Sequence, residues 1–264
     1  MGKKGILAVG IPAITVLLAG CSEIDQPITK DSEGLWNSFI VYPLSWLIVK
    51  IAGWFGGGWG YGMAIILITI LIRMIILPLM VSQMKSTRAM QYIQPELEKL
   101  KKKYSSKDAV TQEKLRQEQM LLLQKYNINP LAGCLPLLIQ MPILIGFYHA
   151  IVRTEAIKGN SFLWFELAKP DPYFLLPLIA GLTTFLQQKI LMKGQPANPQ
   201  SQMMLWVMPV LILMFALYLP SALPLYWIIG NLFSIVQSYF IKLPELEESG
   251  ARNATLKGSG GKKR

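Results

Sequence analysis

Between Tyr61 and Val81 the chain carries a single charge, Arg73, in an otherwise apolar stretch. A run of that length crosses the ~30 Å hydrocarbon core of a bilayer as a helix. Roughly twelve residues separate Arg73 from Lys85, the nearest charge on its C-terminal side, or about 18 Å of helix. That places the guanidinium near the bilayer midplane, too deep for easy snorkelling. On insertion scales it costs at least ~2.5–3.5 kcal/mol there, and it does not escape by losing its proton. A charge in this position faces a partner or a water-filled cavity, which makes Arg73 the first candidate for a functional site.

The rest of the composition fits a polytopic membrane protein. Hydrophobic residues make up 52% of the chain and charged residues 16%, with a mean hydropathy of +0.39. This excludes a soluble domain, a disordered chain and a repeat protein. Two cysteines leave no disulfide framework to propose. The net charge of +11 must be read by location, because the apolar runs contribute almost none of it.

Residues 1–20 read as a lipoprotein signal peptide. Lys3 and Lys4 form a basic start, and Gly5 to Ala19 form an apolar region too short for a confident span. Leu18-Ala19-Gly20-Cys21 then resembles a bacterial lipobox, which makes Cys21 the acylated first residue of a mature chain tethered outside the cytoplasmic membrane. The competing reading is an uncleaved short anchor with an incidental cysteine. Cys134 reads as a small buried residue.

Residues 21–59 hold a polar tether and then a helix over Leu35 to Phe55. Trp36, Ile40, Leu44, Leu47, Ile51 and Trp54 step by three or four along one stripe, with Asn37, Ser38, Ser45 and Lys50 off it. Trp36, Trp46, Trp54 and Trp59 belong at a headgroup interface. The pattern describes an amphipathic helix lying on the outer leaflet and ended by Gly56-Gly57-Gly58. A sixth span is the rival, opposed by Pro43, Lys50 and the glycines.

Five spans follow, each close to the ~17–25 residues needed to cross: 60–83, 133–152, 173–192, and 203–241 as a hairpin of two spans joined at Pro220-Ser221. The loop 84–132 holds ten Lys and Arg residues from Lys85 to Lys125. Lys189 and Lys193 flank the loop 193–202, and Lys242, Arg252, Lys257, Lys262, Lys263 and Arg264 lie in the tail 242–264. Ser22 to Trp59 has only Lys30 and Lys50 against four acidic residues. The positive-inside rule therefore puts both loops and the tail in the cytoplasm. An outside N-terminus and an inside C-terminus need an odd number of spans, as the lipobox independently implies. Residues 153–172 become an outer loop.

Within the loop 84–132, Met90, Ile93, Leu97, Leu100 and Tyr104 step at helical spacing, as do Leu115, Leu122 and Tyr126 less regularly. Ser105-Ser106-Lys107-Asp108 supplies a turn and a helix N-cap between them. The result is a charged helical hairpin with a narrow apolar seam. It suits either a solvated arm lying on anionic lipid or a docking arm for a ribosome, a targeting factor or an emerging chain.

Several polar residues lie in the spans. Thr69 is four residues before Arg73, hence on the same helix face. Gln140 sits in the second span, Gln187 and Gln188 in the third, Asn231 and Gln237 in the fifth. Taken singly, such residues usually tie helices together. Arg73 differs, because no Asp or Glu lies in any of the five spans to pair with it. Water, lipid headgroups, backbone carbonyls or an arriving acidic partner remain. A wet cavity open to cytoplasm or lipid is the economical solution, and it points to a substrate carrying negative charge.

Trp59-Gly60, Thr69, Arg73 and Pro78, the run Asn129-Pro130-Leu131-Ala132-Gly133-Cys134-Leu135-Pro136 with Gln140-Met141-Pro142, and Leu223-Pro224-Leu225-Tyr226-Trp227 with Asn231 resemble the YidC membrane-protein insertases. The lipobox and the lack of a large extracytoplasmic domain resemble the Gram-positive, sporulation-associated branch, related to mitochondrial oxidase-assembly and chloroplast albino proteins. The resemblance implies an all-α fold of five transmembrane helices, an outer-leaflet amphipathic helix and a cytoplasmic helical hairpin, without enzymatic chemistry or a cofactor. It implies a hydrophilic groove, open to cytoplasm and lipid, in which Arg73, Thr69, Gln140, Gln187, Trp227 and Asn231 meet the substrate. Some relatives carry Tyr where Trp227 stands. Implied partners are nascent membrane proteins, the ribosome, anionic lipids, the general secretion channel and the signal-recognition-particle receptor.

Other functional classes fare less well on the residues. The lone histidine, His149, lies near the end of the second span, and neither His-Glu-x-x-His nor Gly-x-Ser-x-Gly occurs, which disfavours an intramembrane enzyme. A solute transporter finds its buried charge in Arg73 but no paired repeat and no second broken helix. An assembly scaffold differs from an insertase in translocating nothing.

Overall fold

The computed structural model of the chain describes residues 24–126, 128, 135–192 and 199–240. Cys21, Cys134, the signal peptide, the loop 193–198 and the tail fall outside the described residues.

Helix dominates. A π-helical turn, Asn37–Val41, runs into α1 (Tyr42–Phe55), whose Pro43 sits in the first turn where a missing N–H is harmless. Gly56 and Gly57 end α1 with φ of +67° and +62°, a left-handed backbone that glycine adopts without strain. α2 (Trp59–Tyr92) is a 34-residue helix containing Pro78. It runs past the expected span end at 83 into the basic loop. α3 (Gln94–Lys103) and α4 (Ala109–Lys125) follow, then α5 (Leu135–Arg153). After a 3₁₀ turn at Glu155–Ile157 and a two-stranded antiparallel ribbon, β1 (Ser161–Phe162) and β2 (Phe165–Glu166), come α6 (Leu175–Leu191), α7 (Pro199–Tyr218) and α8 (Ala222–Phe240). By length and composition, Asn37–Phe55 and Trp59–Ser86 are long and apolar enough to cross a membrane. Leu138–Arg153, Leu175–Leu191 and Gln202–Tyr218 are shorter apolar helices.

Asp108 caps α4, its carboxylate accepting from the Thr111 N–H at 2.8 Å, as the sequence predicts. The Ser106 hydroxyl and the Thr111 amide hold this carboxyl well below the usual carboxylate range. A carboxyl depressed in this way keeps its charge, and its capping role, until the pH falls through that lowered value. Ile93, Leu123 and Ile128 are buried together, with Met90, Leu97, Leu122 and Tyr126 packed against them. Tyr126 also donates to Glu96 at 2.7 Å across the α3–α4 seam.

The segment leading through α1 buries polar residues beside apolar ones. Its buried positions are Trp36, Asn37, Val41, Ser45, Ile48, Ile51 and Ala52, so Trp36 and Ile51 of the apolar stripe are buried while Ile40 and Trp54 are exposed. The polar pair turns inward because it finds partners there. Asn37 Oδ1 accepts from Arg153 Nη1 at 2.8 Å, and the Ser45 and Thr154 hydroxyls lie 2.6 Å apart. In a membrane the apolar side chains lose nothing by facing outward, so periodicity alone does not tell which face packs. Each of these contacts lies at the Arg153 end of α5. Further along α1, Ala52 meets Gly60 at the start of α2, where an added Cβ lies 2.4 Å from the Ala52 carbonyl oxygen. Backbone cannot rotate aside as a side chain does. Gly60→Ala is therefore expected to lower stability by about 1–3 kcal/mol, read as a fall in the thermal midpoint of the detergent-solubilised protein.

The same end of the molecule is closed by further polar ties. Arg153 Nε donates to the Gln26 carbonyl at 2.9 Å, and the Ile28 N–H donates to the Arg153 carbonyl at 2.9 Å. Asp171 accepts from Trp164 Nε1 at 3.0 Å and from the Leu176 N–H at 2.7 Å, capping α6. Ser221 and Ala222 donate their amides to the carbonyls of Lys169 and Leu167. Phe162 of β1 lies over Gly62 of α2, where a Cβ has no room.

Candidate functional site

The buried cation is built by α2 and α8. Thr69 and Arg73 are one turn apart on α2, 0% and 6% exposed. Thr69 Oγ1 donates to the Ile65 carbonyl at 2.6 Å, so its hydroxyl is satisfied within its own helix. Arg73 Nη1 reaches Met80 Sδ at 3.6 Å, a weak acceptor, and Arg73 Nε has no partner. Among the described residues no ion pair involves Arg73. Its guanidinium lies against Gly230 of α8, where a Cβ would stand 2.4 Å from Nη2 and 3.1 Å from Cζ. Glycine at that point lets a bulky planar cation pack into the α2–α8 seam.

One turn before Gly230, Tyr226 is 1% exposed and accepts from Gln140 Nε2 of α5 at 2.7 Å through its hydroxyl oxygen. Arg73, Gly230, Tyr226 and Gln140 thus join α2, α8 and α5 at one polar level.

The other candidates lie on a different face of α8. Asn231 Nδ2 donates to Thr184 Oγ1 at 2.8 Å and to Thr183 Oγ1 at 3.2 Å, tying α8 to α6. Trp227, four residues earlier, shares that face and is 8% exposed. Gln187 is half-buried on α6, one turn beyond Thr183. The six span residues singled out from sequence therefore form two groups, with Arg73, Thr69 and Gln140 in one and Asn231, Trp227 and Gln187 in the other.

Sequence reading passed over Gly230 and gave Tyr226 no separate role. The available signal was a small residue in the middle of an apolar helix, which usually marks close approach of a neighbour. Arg153 was also missed, because a terminal arginine reads as an ordinary interfacial charge until its burial is seen. Among the described residues no group of three or more His, Cys, Asp or Glu side chains is placed to hold a metal ion.

Comparison with known proteins adds independent information. Residues 51–248 match the family model described as 60Kd inner membrane protein. The chain is 54% identical over 259 residues to the membrane protein insertase MisCA of Bacillus subtilis (strain 168), covering 98% of this chain and 97% of the relative. It is 56% identical over 250 residues to membrane protein insertase YidC 2 of Bacillus anthracis, covering 94% and 97%. It also superposes on the crystal structure of an active YidC insertase whose first transmembrane domain is resolved, with a TM-score of 0.61 and 27% identity. That match covers 80% of this chain and 48% of the solved one, so the chain spans about half of that structure's length.

Proposed function

The chain belongs to the 60Kd inner membrane protein family of YidC-type insertases, and from this we infer how its buried cation is used. It is a membrane-protein insertase of the cytoplasmic membrane, not an enzyme, and its substrates are nascent membrane proteins.

On this reading a short hydrophilic segment of the new protein enters a polar groove from the cytoplasm. Arg73 attracts its acidic residues there. The groove shortens the dry path, so the segment never crosses a full hydrocarbon slab with its backbone unsatisfied. Burial of the substrate's own apolar span in lipid, at ~25 cal/mol per Å², then drives lateral release. A membrane potential positive outside helps an acidic tail across by about 2.3 kcal/mol per charge per 100 mV. The observation that carries the reading is Arg73 itself, a buried guanidinium with an unpartnered Nε and, among the described residues, no ion pair. Water or an arriving anion would complete its hydrogen bonding.

The layout that goes with this mechanism has five spans, α2, α5, α6, α7 and α8, with α3 and α4 as a cytoplasmic hairpin. α1 lies along the outer leaflet. Besides its packing along α2, the segment through α1 is tied to α5 near Gly146 and, by its hydrogen bonds, at the Arg153 end. The ties around Arg153, Asp171 and Ser221 then close the outer side. Acylation at Cys21 tethers the N-terminus outside, and the basic hairpin and tail face anionic lipid and the ribosome. The secretion channel and the signal-recognition-particle receptor complete the set of proposed partners.

The test is reconstitution. Proteoliposomes containing only this protein receive a short single-span substrate, and protease protection of its tail is scored. Protection above that of empty liposomes is expected. Equal protection in both would move the weight to an assembly scaffold or to an obligatory partner channel.

A further inference from the structure

Ten residues beyond Arg73, at the basic-loop end of α2, a second set of unmet polar atoms is buried on α2 and α8. Gln83 is 5% exposed and its Nε2 has no hydrogen-bond partner. Gln237, on α8, is 6% exposed and its Oε1 has none. Among the described residues its Nε2 reaches Met84 Sδ at 3.6 Å, and a thioether is a weak acceptor. Met84 adjoins Gln83, so the two glutamines lie at one level along α2 and α8. Neither serves the Arg73, Gly230, Tyr226 and Gln140 cluster. Burying an unpaired amide donor and an unpaired amide acceptor is costly for the fold, and apolar side chains would fill the same seam without that cost.

One unmet donor and one unmet acceptor, both neutral, complement a peptide group, whose C=O accepts and whose N–H donates. We propose that Gln83 and Gln237 form a second binding station in the groove, nearer the cytoplasm than Arg73, which holds the main chain of the incoming hydrophilic segment. The proposal rests on the insertase reading above and divides the labour within it. Arg73 selects for acidic side chains, whereas the two carboxamides accept any sequence, because every residue except proline offers the same backbone pair. An extended segment entering from the cytoplasm sheds part of its water on the way to Arg73, and the station supplies replacement hydrogen bonds at that point.

Gln83→Met and Gln237→Met, close in size and apolar, separate this from a structural role. In proteoliposomes each variant is expected to lower protected tail roughly two- to tenfold, the range of one net hydrogen bond. The loss should be the same for acidic and neutral tails, whereas Arg73→Ala should affect the acidic tail alone. The thermal midpoint should stay level or rise, because the substitution removes an unmet buried group. Unchanged insertion in both variants overturns the station. So does a loss confined to acidic tails, which would make the carboxamides accessories of Arg73. A joint fall of insertion and thermal midpoint also overturns it, since the two amides would then be bonded within the fold. If the unsubstituted protein gives no protection, the insertase reading itself fails and the station fails with it.

Discussion

Arg73→Ala is expected to cut insertion of an acidic-tailed substrate about thirtyfold while leaving a neutral-tailed one near the unsubstituted level. The magnitude follows from two unit charges ~8 Å apart at an effective dielectric of ~20, which attract by about 2 kcal/mol. Arg73 has no carboxylate among the described residues to release, so its removal breaks no internal ion pair. It also relieves an unmet Nε, and stability should therefore not fall. Arg73→Lys keeps the charge and should keep substantial activity. Equal loss in the alanine and lysine variants would assign the guanidinium a structural role tied to its shape. The readout is protected tail per reconstituted protein, for both tails and all three proteins.

Gly230→Leu is the second large effect. A single Cβ at this position already stands 2.4 Å from Arg73 Nη2. The obstructing atoms are the far end of a flexible side chain, so the guanidinium moves and the helix stays. Gly230→Ala should then preserve the fold and lower acidic-tail insertion severalfold. The longer leucine occupies the volume where the cation rests and should match the loss in Arg73→Ala. Overpacking adds about 1–3 kcal/mol of destabilisation for leucine, visible as a lower thermal midpoint. A double-variant cycle isolates the cause. In an Arg73→Ala background, Gly230→Ala should have no further effect on insertion, because the group it displaces is gone. Additive losses would show that Gly230 matters through α2–α8 packing alone.

Much of the site was legible because membrane physics makes charge conspicuous. Arg73 stood out from its depth in an apolar run, and Thr69 followed from helical periodicity. The cap at Asp108 was readable from the local Ser-Ser-Lys-Asp turn. What escaped was the pairing of faces. A lipid-facing leucine and a core leucine look alike in sequence, so periodicity through α1 did not show that Asn37 and Ser45 are buried beside Trp36 and Ile51. For the same reason Asn231 was grouped with Arg73, though its amide reaches Thr183 and Thr184 on α6. Adjacent residues on a helix differ by ~100° in direction, and Gly230 and Asn231 show the consequence, one facing α2 and the other α6. Which face of α8 meets which neighbour depends on tertiary packing that no single span encodes.

The claim at the centre is that the level of Arg73 is wet and opens to one side only. Gln140 shares that level through Tyr226, and replacing it leaves the guanidinium in place. The direct measurement is labelling of Gln140→Cys, with Cys21 and Cys134 replaced by serine, by a membrane-impermeant thiol reagent. The reagent is added separately to right-side-out and inverted vesicles. Rapid labelling from the cytoplasmic face and none from the outer face is the expected result. No labelling from either face, or labelling from the outer face, would contradict a hydrophilic groove open to the cytoplasm.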